Sequence, residues 1–235
     1  MRILTRPGVG CWVLALAALA AVSPAVAQVA PSPAEVAGFR GIFAAAQHGD
    51  LRAIEREVAN SRASLTARDA RGRTALHVAT FARQRDAVGA LMALGADPSA
   101  LEDDRYDAVT IAAVADDEET LRVLLARGAS AGLVTSRYDG TALIAAAHLG
   151  HDGVVRQLIG AKAPLDHVNN LHWTALIEAV VLGDGGVRHQ RVLQALLDAG
   201  ADAKLADAQG RTPLQLARAR GFDAMVQMLE GRPRR

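Results

Sequence analysis

The segment Gly72-Arg73-Thr74-Ala75-Leu76-His77-Val78-Ala79 contains a short motif, Thr-Ala-Leu, that returns along the chain. Copies with Ala or Pro in the middle begin at Thr141, Thr174 and Thr212, and a degenerate copy begins at Asp107. Successive copies are 33, 34, 33 and 38 residues apart. A nearly constant period of this length is typical of proteins built from stacked structural repeats.

A second marker keeps the same register. It is a residue pair ending in Ala, found at Gly95-Ala96, Gly128-Ala129, Lys162-Ala163 and Gly200-Ala201, with steps of 33, 34 and 38 residues. The last step of both markers is longer by the same amount, and we place the added residues within 183–189. We expect this insertion to lengthen the connection between the two helices of its repeat.

Each unit predicts a pair of short helices. The Thr of the motif can accept a hydrogen bond from an N–H group that the first helical turn leaves unpaired, so it is expected to begin the first helix. In one second helix, apolar residues recur with the helical period and predict a buried stripe. They are Val154, Val155, Leu158 and Ile159. The glycines of the second marker follow such helices, where a left-handed C-cap is expected.

These units resemble the ankyrin repeat. Gly72–Ala79 and Asp207–Leu214 carry its signature, and Gly-Ala-Asp at 95–97 and 200–202 matches the end of its second helix. The resemblance extends over most of the chain and implies an all-α fold, an ankyrin-repeat solenoid of about six helix–turn–helix repeats with projecting turns or hairpins. The repeats are expected near 35–67, 68–100, 101–134, 135–167, 168–205 and 206–230.

Several units depart from the signature. Asp107 replaces the Thr of the motif, and Arg83 and Asp116 stand where a glycine is expected between the two helices. Lys162 replaces a C-cap glycine. Because glycine alone adopts the left-handed conformation without cost, we expect local strain in these units.

The first 27 residues are typical of a secretory signal peptide. Arg2 and Arg6 precede an apolar run from Val9 to Val22, and Ala25-Val26-Ala27 matches the small-residue cleavage site. The run is shorter than the roughly 20 residues that a membrane span takes, so an uncleaved anchor is the less favoured alternative. Trp173 to Gly186 also resembles a set of secreted bacterial ankyrin-repeat proteins.

We therefore expect cleavage after Ala27, a periplasmic mature chain without membrane insertion, and no further transmembrane segment. Residues 28–34 are expected to form a short linker and residues 231–235 a basic tail. The single cysteine, Cys11, lies in the signal segment, which excludes intramolecular disulfides and cysteine-based zinc sites.

Composition and motifs argue against several function classes. The chain has 26 Lys and Arg against 25 Asp and Glu, and a near-neutral balance with no basic groove does not favour nucleic-acid binding. The sequence lacks a serine-hydrolase elbow, a phosphate-binding P-loop and a dinucleotide fingerprint. We therefore predict no catalytic residues, no cofactor and no metal. The 183–189 loop, with Asp184 and His189, is an alternative metal or anion site, and a flexible connector is favoured.

Aromatic residues are rare, yet Tyr106, Tyr138 and Trp173 fall in the turns that connect successive repeats. The resemblance implies binding through these turns and through the concave face of the first helices, so stacked repeats would align the three rings. Trp, Tyr and Arg dominate interface hot spots. The full set of partner-binding candidates is Arg71, Arg73, Phe81, Arg105, Tyr106, Arg137, Tyr138, His172 and Trp173. The alternative is that each ring merely fills a gap between neighbouring turns.

The sequence predicts a monomeric, non-enzymatic scaffold that binds a protein partner in the bacterial periplasm. A related hypothesis is an inhibitor, or an immunity-type regulator, of a periplasmic enzyme or toxin. A hypothesis of a different class is a metal-dependent accessory protein or enzyme that uses the 183–189 loop.

Overall fold

The computed structural model describes residues 28–231, so the predicted signal peptide and all but the first residue of the basic tail lie outside the described residues. Within this range the α-helices are α1 Pro33–Gly38, α2 Gly41–His48, α3 Leu51–Asn60, α4 Ala75–Phe81, α5 Arg85–Ala93, α6 Ala108–Val114, α7 Glu118–Ala126, α8 Ala142–Leu149, α9 Asp152–Gly160, α10 Ala175–Val181, α11 Val187–Ala199, α12 Pro213–Ala219 and α13 Asp223–Glu230. A 3-10 helix spans Arg62–Thr66, and strands β1 Val134–Thr135 and β2 Gly140–Thr141 pair antiparallel. Across residues 28–231, no helix combines the length and apolarity that a bilayer crossing demands.

The helices form two layers. The even-numbered helices α2 to α12 each contact the next even-numbered helix, and the odd-numbered helices α3 to α13 do the same. Each helix also packs on its partner within the pair, as α4 does on α5 and α12 on α13. This is the nearest-neighbour packing of a solenoid, in which each repeat buries its apolar faces against the repeats beside it.

Most of the buried alanines lie in the first layer, whereas the second layer is buried mainly through branched side chains. Ala79, Ala146 and Ala217 are fully buried on first-layer helices, where a small residue lets neighbouring helices approach closely. Leu91 and Leu158 are fully buried on second-layer helices. The alanine-rich composition therefore reflects a narrow core that runs the length of the array.

The first-layer helices begin as the motif predicts. Thr141, Thr174 and Thr212 each accept a hydrogen bond from the N–H group three residues on. Asp107 does the same, with its carboxylate 2.8 Å from the nitrogen of Thr110. The expectation of strain at Asp107 is wrong, because aspartate caps a helix as well as threonine does.

Strain does occur where glycine is replaced. The φ angles of Arg83 and Asp116 are 55° and 52°, close to the 69° and 71° of Gly49 and Gly150 at equivalent turns. Lys162 has a φ angle of 63° at the position where Gly95, Gly128 and Gly200 have angles of 101°, 89° and 97°. The left-handed conformation costs a residue with a Cβ atom roughly 1–2 kcal/mol. The turn geometry is therefore imposed by the packing of the helix pairs and not by local preference.

The insertion in repeat five mainly lengthens its second helix, whereas we expect it to lengthen the connection between the two helices. Residues 182–186 connect α10 to α11, against 82–84 between α4 and α5, so the connection is only slightly longer. Most of the added residues extend α11, which has 13 residues where α9 has 9. An unforeseen helix, α1, begins at Pro33 inside the expected linker, and Ser32 caps it.

Candidate functional site

The turns that precede the first-layer helices share one backbone design. The residue two before each helix cap has a left-handed φ angle, between 52° and 74°. These residues are Gly72, Arg105, Asp139, His172 and Gly210. A side-chain oxygen at the start of each turn accepts the backbone N–H four residues on, as Asn169 does from Trp173 at 3.0 Å. The turns are therefore internally braced before any contact with a neighbour.

Neighbouring turns are also joined to one another. The backbone nitrogen of Asp103 donates to Arg71, that of Ser136 to Arg105, and that of Asn170 to Tyr138, at 2.8 to 3.1 Å. These bonds link the turns of repeats two to five into one continuous edge. A surface built on this edge is ordered in advance of binding, which lowers the conformational cost of association.

The structure brings the three predicted aromatic residues to a single cavity. Tyr106, Tyr138 and Trp173 are half-buried and line a cavity of about 320 Å³. Apolar side chains from α8, α10 and the turns complete much of its wall, among them Ile144, Leu149, Leu171 and Leu182. We call this the aromatic cavity.

The arginines of the turn tips lie beside this edge but are paired. Arg105 lies 3.3 Å from Asp139, and Arg137 forms an ion pair with Asp104 of the preceding turn. Both guanidinium groups are about half exposed, so each pair contributes no more than about 1 kcal/mol and can be exchanged for a partner's carboxylate. Arg71 lies 3.5 Å from Glu35.

The prediction that Arg73 lies on the binding surface is wrong, because its side chain is buried. Its side chain is 1% exposed, and its guanidinium lies 2.6 Å from both Asp69 and Glu35. Hydrogen bonds from the backbone and hydroxyl of Ser32 are the main reason that the pKa of Glu35 falls to about 2, so this carboxylate stays charged. Arg73 thus ties the second repeat to the N-terminal segment and is not available to a partner.

The remaining predicted residues are not part of the cavity wall. Phe81 is half-buried near the end of α4, and His172 is exposed at the tip of its turn. Neither residue lines the aromatic cavity. They stay candidates for a wider contact surface only.

Glu178 lines the cavity and is not predicted by the sequence analysis. Its side chain, on α10, is 5% exposed. One carboxylate oxygen accepts from the amide of Asn169 at 3.0 Å, and the other lies 3.5 Å from Nδ1 of His148. Burial raises the pKa of Glu178 to about 7, and the Asn169 hydrogen bond only partly opposes this.

A signal for Glu178 is present in the sequence. Counting four residues on from each helix cap gives Val78, Ile111, Ala145, Glu178 and Leu216. Four of these residues are apolar, and Glu178 alone carries a charge. A buried ionisable side chain at a position that elsewhere holds apolar residues points to a functional site.

The histidines are used mainly by the framework. His77 is buried, and its ring contacts the cap Thr74 and the carbonyl of Tyr106 at 3.2 Å. Burial lowers the pKa of His77 to about 4, so the ring is neutral near pH 7. Burial, with smaller contributions from His189 and His151, also lowers the pKa of His148.

The 183–189 loop is held by its own contacts. His189 lies 2.8 Å from Asp184 through Nδ1 and 2.9 Å from the carbonyl of His148 through Nε2. Asp184 also accepts the backbone N–H of Gly186. Within residues 28–231, no three His, Cys, Asp or Glu side chains converge in a way that could hold a metal ion.

Comparisons with known proteins agree with this architecture. A family model for ankyrin repeats in three copies matches residues 109–207, and a model for a single ankyrin repeat matches 71–103. The ankyrin repeat protein YahD of Escherichia coli K12 is 35% identical over 186 residues, which cover 79% of this chain and 92% of that protein.

Solved structures give the same result. An ankyrin repeat domain from Acinetobacter baumannii AYE is 40% identical, with a TM-score of 0.75 over 81% of this chain and 96% of that chain. EF0377, an ankyrin repeat protein, is 28% identical, with a TM-score of 0.76 over 82% and 98%. With the repeat period, the two helical layers and the braced turns, these matches establish that the chain belongs to the ankyrin-repeat family.

Proposed function

We propose that this protein is a non-enzymatic scaffold that recognises a protein partner through the aromatic cavity and the turn edge around it. The observation that carries the proposal is the convergence of Tyr106, Tyr138 and Trp173, from three successive repeats, on one cavity. Ankyrin-repeat proteins are typical protein-interaction scaffolds, and a concave wall with aromatic anchors suits that role.

The edge around the cavity supports recognition of a folded or extended protein segment. Backbone hydrogen bonds join the turns of four repeats, so the surface needs little ordering on binding. Arg105 and Arg137 are exposed beside it, in pairs weak enough to be exchanged. The partner would thus meet an apolar centre with a charged rim, which is the usual anatomy of a protein interface.

We also propose that the protein acts in the bacterial periplasm. The support is the signal-like segment of residues 1–27, with its basic start, apolar run and Ala25-Val26-Ala27 site. A direct test is the mass of the N-terminal peptide of protein purified from the periplasmic fraction. A peptide that begins at Gln28 supports the proposal, and one that begins at Met1 contradicts it.

The binding site is tested by affinity capture from periplasmic extract. The baits are the wild-type protein, a Tyr106→Ala/Tyr138→Ala/Trp173→Ala variant, and a Leu51→Ala/Val187→Ala control, which removes exposed apolar side chains outside the cavity. Each cavity substitution should weaken binding of the captured partner by more than about 1 kcal/mol. The control should bind as the wild type does.

The same partner separates a scaffold from an inhibitor. If stoichiometric addition of the protein abolishes the partner's activity, the protein is an inhibitor; if activity persists in the complex, it is a scaffold. A partner held equally by all three baits would contradict the proposed site, provided that the helical circular dichroism spectra agree.

A further inference from the structure

Glu178 is a carboxyl group in the wall of the aromatic cavity, and among residues 28–231 no lysine or arginine side chain is recorded as its ion-pair partner. The groups beside it are the amide of Asn169, at 3.0 Å, and the imidazole of His148, at 3.5 Å. His148 has a lowered pKa and is therefore mostly neutral near pH 7. The carboxyl group is thus buried without the opposite charge that usually accompanies such burial.

The elements packed against α10 do not supply that charge. On the neighbouring α8, the titratable residue that faces Glu178 is His148. On the α12 side, the guanidinium of Arg220 donates to the carbonyls of Val181 and Gly183. On α11, His189 pairs with Asp184. In the described part of the chain, Arg220 and His189 are therefore engaged with groups other than Glu178.

The rest of the cavity suits a cation with an apolar stem. The faces of Tyr and Trp rings attract an ammonium or guanidinium group, most strongly when water is excluded. The aliphatic part of such a side chain can pack on Ile144, Leu149 and Leu182. The volume, about 320 Å³, is at the small end of ligand sites and is appropriate to a side chain rather than to a large cofactor.

Gln28 also lines the cavity, but its Nε2 atom is shielded from solvent. Its side chain therefore adds to the wall and supplies no hydrogen bond to an occupant.

We propose that the aromatic cavity receives a lysine or arginine side chain of the protein partner, with Glu178 as its counter-ion and Tyr106, Tyr138 and Trp173 as its aromatic wall. This inference rests on the proposed function and adds the chemistry of the partner. Asn169 donates to the carboxylate oxygen that is not beside His148 and acts as a positioning residue. Binding of the cation favours the charged form of Glu178 and so releases a proton near pH 7.

The test is a calorimetric titration of the purified protein at pH 7 with two capped amino acids. N-acetylarginine amide carries the cation, and N-acetylcitrulline amide has nearly the same shape without the charge. The arginine probe should bind about tenfold more tightly than the citrulline probe, because a hydrogen bond to a charged group is stronger. In two buffers of different ionisation enthalpy, the arginine probe should release a fraction of a proton.

Two variants make the test specific. Glu178→Gln keeps an oxygen that can accept from Asn169, so the fold is expected to persist. It should lose about tenfold in affinity for the arginine probe and lose the proton release, while its affinity for citrulline stays unchanged. Glu119→Gln removes an exposed carboxylate on α7 and should change neither quantity.

The outcomes separate this inference from the proposed function. Absence of arginine binding, equal binding of the two probes, or the same loss in both glutamate variants would overturn the assignment of Glu178. A captured partner that is lost by the triple aromatic variant but held fully by Glu178→Gln would also overturn it, and would leave the proposed function intact. A partner held by the triple variant would overturn the proposed function instead.

Discussion

The turns of repeats two and five have the same backbone conformation, but the side chains that begin them make opposite kinds of hydrogen bond. In repeat two, Asp69 accepts the N–H of Arg73 through one oxygen and its guanidinium through the other, at 2.9 and 2.6 Å. In repeat five, Asn169 accepts the N–H of Trp173 through its oxygen, and its amide nitrogen donates to Glu178. A single change from carboxylate to amide thus turns the second atom of the side chain from an acceptor into a donor.

The difference separates stability from recognition. In repeat two, the arginine before the helix cap pairs with the aspartate at the start of the turn, and Arg211 does the same in repeat six, 2.8 Å from Asp207. We call these two turns closed. Between them, repeats three to five carry Tyr106, Gly140 and Trp173 at the same position, and these residues line the aromatic cavity. We call these three turns open. The repeated framework keeps the backbone bonds in every turn, so the side chain before the cap is free to vary with function.

The largest effect on stability is expected when the closed turn of repeat two loses its arginine. Arg73→Ala would leave Asp69 and Glu35 without their shared buried cation, so the free energy of unfolding should fall by about 3 to 5 kcal/mol. Urea denaturation followed by circular dichroism measures this change. A loss below about 1 kcal/mol would mean that the buried pair is not a stabilising element of repeat two.

The second-largest effect is a pH dependence of the unfolding free energy, which arises from Glu178 beside the open turn of repeat five. Glu178 has a pKa of about 7 in the folded protein and 4.5 as its ordinary value, so the folded state holds the proton more tightly. Its contribution to stability is therefore fully present below pH 4.5 and is lost as the pH rises through 7. At 1.36 kcal/mol for each pKa unit, the loss is about 3 kcal/mol.

Glu178→Gln isolates this contribution. The wild type also contains His77, whose lowered pKa of about 4 gives the opposite slope, because its stabilisation is gained as the pH rises from 4 to 6.5. Subtracting the wild-type unfolding free energies from those of the variant removes the histidine. The difference should favour the variant increasingly from pH 4.5 to 7, and a flat difference would contradict the buried, proton-binding carboxyl group.

A smaller effect on stability is expected when the open turn of repeat five receives the aspartate that begins the closed turns. Asn169→Asp keeps the oxygen that braces the backbone but places a second carboxyl group against Glu178. The lost hydrogen bond and the repulsion should cost about 2 kcal/mol above pH 7, and less at pH 5, where Glu178 is protonated. Thermal melts at the two pH values test this, and a cost that does not vary with pH would rule out an interaction through charge.

The sequence predicts the architecture well because the architecture is repeated. Five copies of one motif allow each helix start and each left-handed turn to be compared with the others, and the structure confirms the strain expected at Arg83 and Asp116. The burial of Arg73 could not be predicted this way. It depends on Glu35 and α1, which lie outside the repeated pattern.

The site is predicted in part for a related reason. Tyr106 and Trp173 each precede their helix cap by one residue, whereas Tyr138 precedes its cap by three, so the period places the three residues in successive turns but does not by itself align their rings. Glu178 stands out because the equivalent positions of the other repeats are apolar. It is found by comparing aligned helix positions and not by searching for catalytic or metal-binding motifs. Its environment, an uncharged His148 and a donating Asn169, arises from contacts between repeats that spacing alone does not specify.

The smallest effect on stability sharpens the comparison between the two kinds of turn. Arg137→Ala removes a half-exposed ion pair with Asp104, so the unfolding free energy should change by less than about 1 kcal/mol, in contrast to Arg73→Ala. If the open turns serve recognition, the same variant should weaken binding of the captured partner while its urea midpoint stays close to that of the wild type. A stability loss as large as that of Arg73→Ala would show that the exposed turn tips hold the repeats together, and the assignment of closed turns to stability and open turns to binding would fail.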